Sequence, residues 1–264
     1  MMKTPLKDKL QGTKSISVLK KIVPAGYAVA VYPFFGGNVA LKLAESGRPV
    51  AAIAHSKPVY EFWKCLSEDP KRIVDIITSD IFKFEAAMFP ILQEKWYTYK
   101  GEYTRAALFF ILNRCSDTGL ISSGCLSLDN YSPVSISSVR SYKPSKYFNL
   151  RYVNHTQASI IENLHSDYVF MPIGKYTLNL FEEGKSFGCE ETRVDHKRLR
   201  KEIRETDKKV IISYLYHPRL KSFYDNESVI MINKYGKVTT VEEDSVEMLI
   251  CNFESQASLS NTTV

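Results

Sequence analysis

The 264-residue chain is poor in cysteine: there are five, an odd number, and none form a C-x-x-C pair. That excludes a disulfide scaffold and points to a reducing compartment, so a cytoplasmic location is expected. Apolar runs are short, none approaching the roughly 18 residues a membrane span needs, and no membrane partner is expected. The polar start MMKTPLKDKLQGTK lacks the apolar stretch of a secretory signal. There is no G-x-S-x-G or Walker-type loop, and His55, His155, His165, His196 and His217 show no metal-ligand spacing. Internal repeats are also absent. What is present is a hydrophobic fraction of 44%, which excludes a disordered chain. Lys+Arg number 35 against 29 Asp+Glu, a formal charge of +6. Such a charge is compatible with nucleic acid without establishing it. The length suits one large domain, or one domain with an insertion.

Strand-length apolar runs alternate with amphipathic stretches. YAVAVY (27–32) is β-rich and is followed by Pro33-Phe34-Phe35-Gly36-Gly37. NVALKLAES then has helical spacing, closed by Gly47, before a second strand, PVAAIA, and a second helix, VYEFWKCL. The β-α-β-α order predicts a parallel sheet with covering helices. It returns at DYVFM, DHKRLRKEIRE and KVIISYL, and SVIMINKYG and SVEMLICNF read as a closing antiparallel pair. Between about 67 and 165 the rhythm changes to helices and a Ser-rich irregular stretch. The predicted organisation is an α/β domain over 1–66 and 150–253, an inserted, partly helical lobe over 67–149, and a loose polar tail over 254–264.

Three segments are candidate sites. Phe34-Phe35-Gly36-Gly37 stands where a first strand ends, a place where glycines let backbone approach a nucleotide-like ligand; a purely structural turn is an equal reading. The acid that would grip a ribose after the next strand is replaced by His55, whose neutral ring accepts one hydrogen bond at most. Gly12-Thr13-Lys14 opens the helix KSISVLKKIV, either as a simple N-cap or as amides and a lysine near an anionic group. The stretch after Leu112-Asn113-Arg114 carries Arg114, Arg140, Tyr142, Lys143, Lys146 and Tyr147, residue types that contact phosphates and stack on bases. A solvated loop is the alternative. Cys65, Cys115 and Cys251 lie in apolar runs and read as core.

In order, these pieces resemble the adenine-N6 DNA methyltransferases of the DNA adenine methylase class, particularly phage-borne members. The resemblance runs through PLKDKLQGTKSISVLKKIVP, VYPFFGGNVALKLAESGRPVAAIAHSKPVYEFW, AALFFILNRCSDTGLISSGCLS, DYVFMPIGKY and VDHKRLRKEI to KVIISYLYHPRLKSFY, over about residues 4–253. It implies a Rossmann-like S-adenosylmethionine-dependent methyltransferase fold, with a mostly parallel sheet, a terminal antiparallel hairpin and an inserted lobe for target recognition. It further implies that Gly12, Lys14, Phe34, Gly36, Gly37 and the His55 position descend from the cofactor pocket. Arg114, Arg140, Tyr142, Lys143 and Lys146 are implied to contact DNA.

The departures fall on the chemistry. The family's D-P-P-Y follows a buried strand; here that place holds Met171, Pro172, Ile173, Gly174 and Lys175 in either frame. The target base must leave the stack, and its poorly nucleophilic amine needs the aspartate and a carbonyl as acceptors, with an aromatic ring against the base. None of the five residues supplies the acid. Asn38 replaces the turn's last glycine, Tyr32 a preceding glutamate, and Asp117 the aromatic after Ser116. The expectation is a catalytically inactive relative that serves as a DNA- or protein-binding component, in host cytoplasm or a viral assembly. S-adenosylmethionine would be bound weakly or not at all. The alternative is an active adenine-specific methyltransferase with divergent motifs, in which Asp167, Asp80 or Asp117 substitutes for the missing acid.

Overall fold

The computed structural model describes residues 4–8, 12–79, 85–119, 121, 125–153, 161, 165–174 and 195–255. Lys175, Asp80, His155 and most of the polar tail lie outside these residues. The described chain is α/β, built on an eight-stranded sheet in the order β3-β2-β1-β4-β5-β8-β6-β7. The strands are β1 (Val29–Val31), β2 (Val50–Ala54), β3 (Phe148–Tyr152), β4 (Tyr168–Gly174), β5 (Lys209–Leu215), β6 (Ser228–Asn233), β7 (Val238–Thr239) and β8 (Ser245–Cys251). β1 pairs in parallel with β2 and β4, β2 with β3, and β4 with β5. β8 runs antiparallel between β5 and β6, so β6 again points the same way as β5. This is a mostly parallel sheet, of a kind compatible with a Rossmann-like architecture.

The central strands read as continuous apolar runs because both faces are covered. Every residue of β1 and β4 is buried. The two-residue side-chain period sends Val29 and Val31 to one face and Ala30 and Tyr32 to the other. The first face carries α1 (Ile16–Ile22), α2 (Asn38–Glu45), α3 (Lys57–Glu68), α4 (Pro70–Thr78), α5 (Phe89–Lys95), α6 (Glu102–Cys115) and α7 (Ser135–Arg140). One hydrophobic cluster runs from the sheet through Trp63, Ile73, Phe110 and Val139. Residues 67–149 therefore share a core with the sheet. The second face is covered by α8 (His196–Glu205) and α9 (Pro218–Phe223), through Leu199, Ile203, Leu220 and Tyr224.

Helix boundaries follow local chemistry. Asp69 caps α4 by accepting from Arg72 N at 3.1 Å, with Pro70 in the first turn, where no amide donor is needed. Arg48 closes α1 from outside, its guanidinium donating to Lys20 O at 2.7 Å and Val23 O at 3.1 Å. Cys65, Cys115 and Cys251 are buried, and burial pushes their thiols up to about 12, 11 and 12. They pack as core residues, and their neutral thiols lack the lowered pKa of a nucleophile. Among the described residues no helix is long and apolar enough to cross a membrane, and no group of three His, Cys, Asp or Glu could hold a metal ion.

Candidate functional site

Strand order reverses between β1 and β4, and in open parallel sheets the crevice at such a switch point receives ligands at the carboxyl ends of the strands. The Phe34–Gly37 turn lies there. Phe34 N donates to Ile53 O at 2.9 Å, tying the turn to β2. The Phe34 ring is 1% exposed, packed against Trp63 at 5.2 Å and Phe148 at 5.6 Å. Trp63 donates from its indole to Phe35 O at 2.6 Å. Gly37 has φ +80 and begins α2; a Cβ there would sit 2.7 Å from the Trp63 ring, so both conformation and space demand glycine.

The chain's own start covers this turn. Thr4 Oγ1 donates to Gly36 O, and a Cβ on Gly36 would lie 2.2 Å from Asp8 Cβ. Residues 4–8 are held from the other side by the Leu112-Asn113-Arg114 motif. Lys7 N donates to Asn113 Oδ1 at 2.8 Å, Asn113 Nδ2 returns a bond to Lys7 O at 3.1 Å, and Lys7 Nζ donates to Ser116 O at 2.7 Å. Asn113 and Ser116, about a hundred residues further along the chain, thus hold the first five described residues onto the glycine turn. Burial, followed by the Arg114 charge, lowers the Lys7 pKa; burial likewise lowers that of Arg114, which is half-buried. Between Asp8, Val31, Phe34, Val39 and Pro172 the crevice retains a space of about 10 Å3, roughly what one water molecule occupies.

The segment read as the degenerate tetrapeptide remains inside the sheet. β4 continues through it to Gly174, with a register shift between Pro172 and Gly174 against β5. Met171 and Ile173 belong to the second face's core, and only Pro172 borders the crevice. None of these side chains can accept a hydrogen bond from an amine. Asp167 precedes β4, at the opposite end of the sheet, and so cannot replace the acid. Asp117 is engaged locally, its Oδ1 accepting from Cys125 N at 3.0 Å.

The other sequence candidates separate. His55 is buried beyond β2 with its ring 6.1 Å from that of Tyr32, whose side chain belongs to the second face. The Gly12–Lys14 turn differs from the expected N-cap. Ser15, at the cap position of α1, makes no side-chain cap bond. The turn is instead closed by Glu247 of β8, a residue the sequence reading passed over. Gly12 is itself buried, with Phe170 and Ser213 beside it, while Lys14 is exposed.

Among the residues expected to touch DNA, Arg140, Lys143 and Lys146 are exposed, as is Tyr147. Tyr142 is not available to a base. It is 4% exposed, its ring packed edge-on against Trp63 at 5.9 Å, because the apolar surface of α3 takes up the one aromatic of the loop that can reach it. Arg114 is only half-buried, and its charge acts on Lys7. Arg151 and Tyr152 of β3, which the sequence reading did not single out, are exposed as well. The signal in the sequence is an absence of acids: residues 130–161, 32 in all, contain no Asp or Glu.

No protein-family profile matches the chain, and no curated protein matches it.

Proposed function

We propose that this chain is a methyltransferase-like scaffold that has lost methyl transfer and works as a binding component. The observation that carries the reading is the crevice at the carboxyl ends of β1 and β4, closed to about 10 Å3 by the chain's own residues 4–8 and the Phe34–Gly37 turn. Small-molecule and cofactor pockets run to about 300–1,000 Å3. The residues around the crevice do not fit S-adenosylmethionine: neither the His55 position nor the end of β4 offers a carboxylate, and Asp8, which borders the crevice, lies against Gly36 and takes up the space a ligand would need. The sheet order supports the same reading, since a mostly parallel sheet ending in antiparallel strands is what the resemblance to adenine-N6 DNA methyltransferases implies.

The test is methyl incorporation. Purified protein incubated with methyl-labelled S-adenosylmethionine and adenine-containing duplex DNA is expected to transfer no label above background. Incorporation that disappears in the Phe34→Ala or Gly36→Ala variant would overturn the proposal and favour an active enzyme with divergent motifs.

A further inference from the structure

We infer that the β3 edge of the sheet, together with the loop leading into it, is a binding track for single-stranded nucleic acid. The inference rests on the reading of the chain as a binding component and names the partner. The acid-free stretch of residues 130–161 contains four cations, Arg140, Lys143, Lys146 and Arg151. All four are exposed, and none forms an ion pair among the described residues. On α8, by contrast, acids are interleaved with the cations: Arg198 pairs with Glu202 at 2.8 Å and Arg204 with Glu227 at 2.6 Å. The stretch thus gathers exposed positive charge with no acid interleaved, which fits a polyanion.

The aromatics decide which polyanion. Tyr147, in the turn just before β3, is 37% exposed, and Tyr152, at the end of β3, is 43% exposed, large values for tyrosine rings. The strand between them keeps them at most about 17 Å apart, room for several unstacked nucleotides. Lys146 Nζ lies 5.1 Å from the Tyr147 ring centre, putting a charge for the phosphate beside a face for the base. Tyr60 of α3 backs Tyr152 at 5.6 Å. Tyr142, clamped on Trp63, anchors the loop that carries Arg140, Lys143 and Lys146. β3 is the last strand of the sheet on this side, so its outer edge faces no other strand among the described residues. Base faces are open to such rings only in single strands, since a duplex offers phosphates and base edges. DNA and RNA strands share this chemistry.

The test is fluorescence anisotropy of the full chain with labelled oligothymidine, oligouridine and a duplex of equal length, across a salt series. Binding to one or both single strands is expected, with a log–log salt slope near about −2.8 when four phosphates are neutralised. Changing Arg140, Lys143 and Lys146 to Gln should make the slope shallower by about 2. Tyr147→Ala and Tyr152→Ala should each weaken binding about fivefold or more without changing the slope, and the Phe variants should retain it. These residues are exposed, so an unchanged thermal midpoint certifies the fold of each variant. Duplex binding as tight as single-strand binding, with the tyrosine variants silent, overturns the inference. So does salt-insensitive or undetectable binding. Label incorporation, measured in parallel, bears only on the loss of methyl transfer, which keeps the two failures distinguishable.

Discussion

Replacing Glu247 by alanine is expected to cost about 3–5 kcal/mol of folding stability, a large share of the roughly 5–15 kcal/mol available to a domain. Glu247 is 1% exposed on β8, yet its carboxylate is fully engaged. Oε1 accepts from Gly12 N at 3.3 Å and Lys14 N at 3.4 Å; Oε2 accepts from Ser15 N at 3.0 Å and Ser15 Oγ at 2.7 Å. These donors precede α1, which has no acid in its first turn and no side-chain cap of its own. The carboxylate therefore supplies the cap from a strand 232 residues away from Ser15. Its loss strands several buried donors at once, and hydrogen bonds to charged groups are the costly ones to leave unmade. Glu247→Gln should lose less, because one carbonyl oxygen still accepts while the amide NH2 opposes the remaining donors. Ser15→Ala, which removes only the hydroxyl, should cost about 1 kcal/mol. Urea unfolding of the three variants checks the order. A Glu247→Ala loss below that of Ser15→Ala would mean the carboxylate is not the tie.

Trp63→Ala is expected to cost a further class of stability, about 3–5 kcal/mol, through the cavity left in the largest aromatic cluster. Trp63 is fully buried, with Phe62, Tyr142 and Phe148 around it at 5.6, 5.9 and 6.1 Å. It also satisfies Phe35 O and fills the space that glycine leaves at position 37. One side chain thus supports both the closed turn and the basic loop. Trp63→Phe keeps part of the volume but orphans the Phe35 carbonyl, and should fall between the parent and the alanine variant. Equal losses for Phe and Ala would show that the indole hydrogen bond, and not packing, dominates.

The parts of the fold visible in the sequence are those whose burial is two-sided. YAVAVY, PVAAIA and KVIISYL declare themselves as strands because both faces are apolar, and the closing antiparallel strands do the same. β3 escaped notice because FNLRY is an edge strand with only Phe148 and Leu150 turned to the core. α7 was hidden by its serines, poor helix formers held in place by Ser135 and Val139 beneath them. The glycine turn was legible as a site, since its residue types are needed locally. Its closure was not, because Thr4 and Asp8 act on it from a polar segment with no pattern. Glu247 looks like one polar step in an alternating strand; its role depends on a partner at the other end of the chain. Tyr142 and Tyr147 are equivalent in sequence and opposite in exposure, because Tyr142 packs on Trp63, a neighbour the local sequence does not announce.

The most direct measurement is isothermal titration of the full chain with S-adenosylmethionine. A crevice closed by residues 4–8 is expected to give no binding heat at protein concentrations where a micromolar complex would be saturated. Saturable binding of S-adenosylmethionine at one site per chain with micromolar affinity, weakened by Gly36→Ala, would contradict the proposed loss of the cofactor site and with it the proposed loss of methyl transfer.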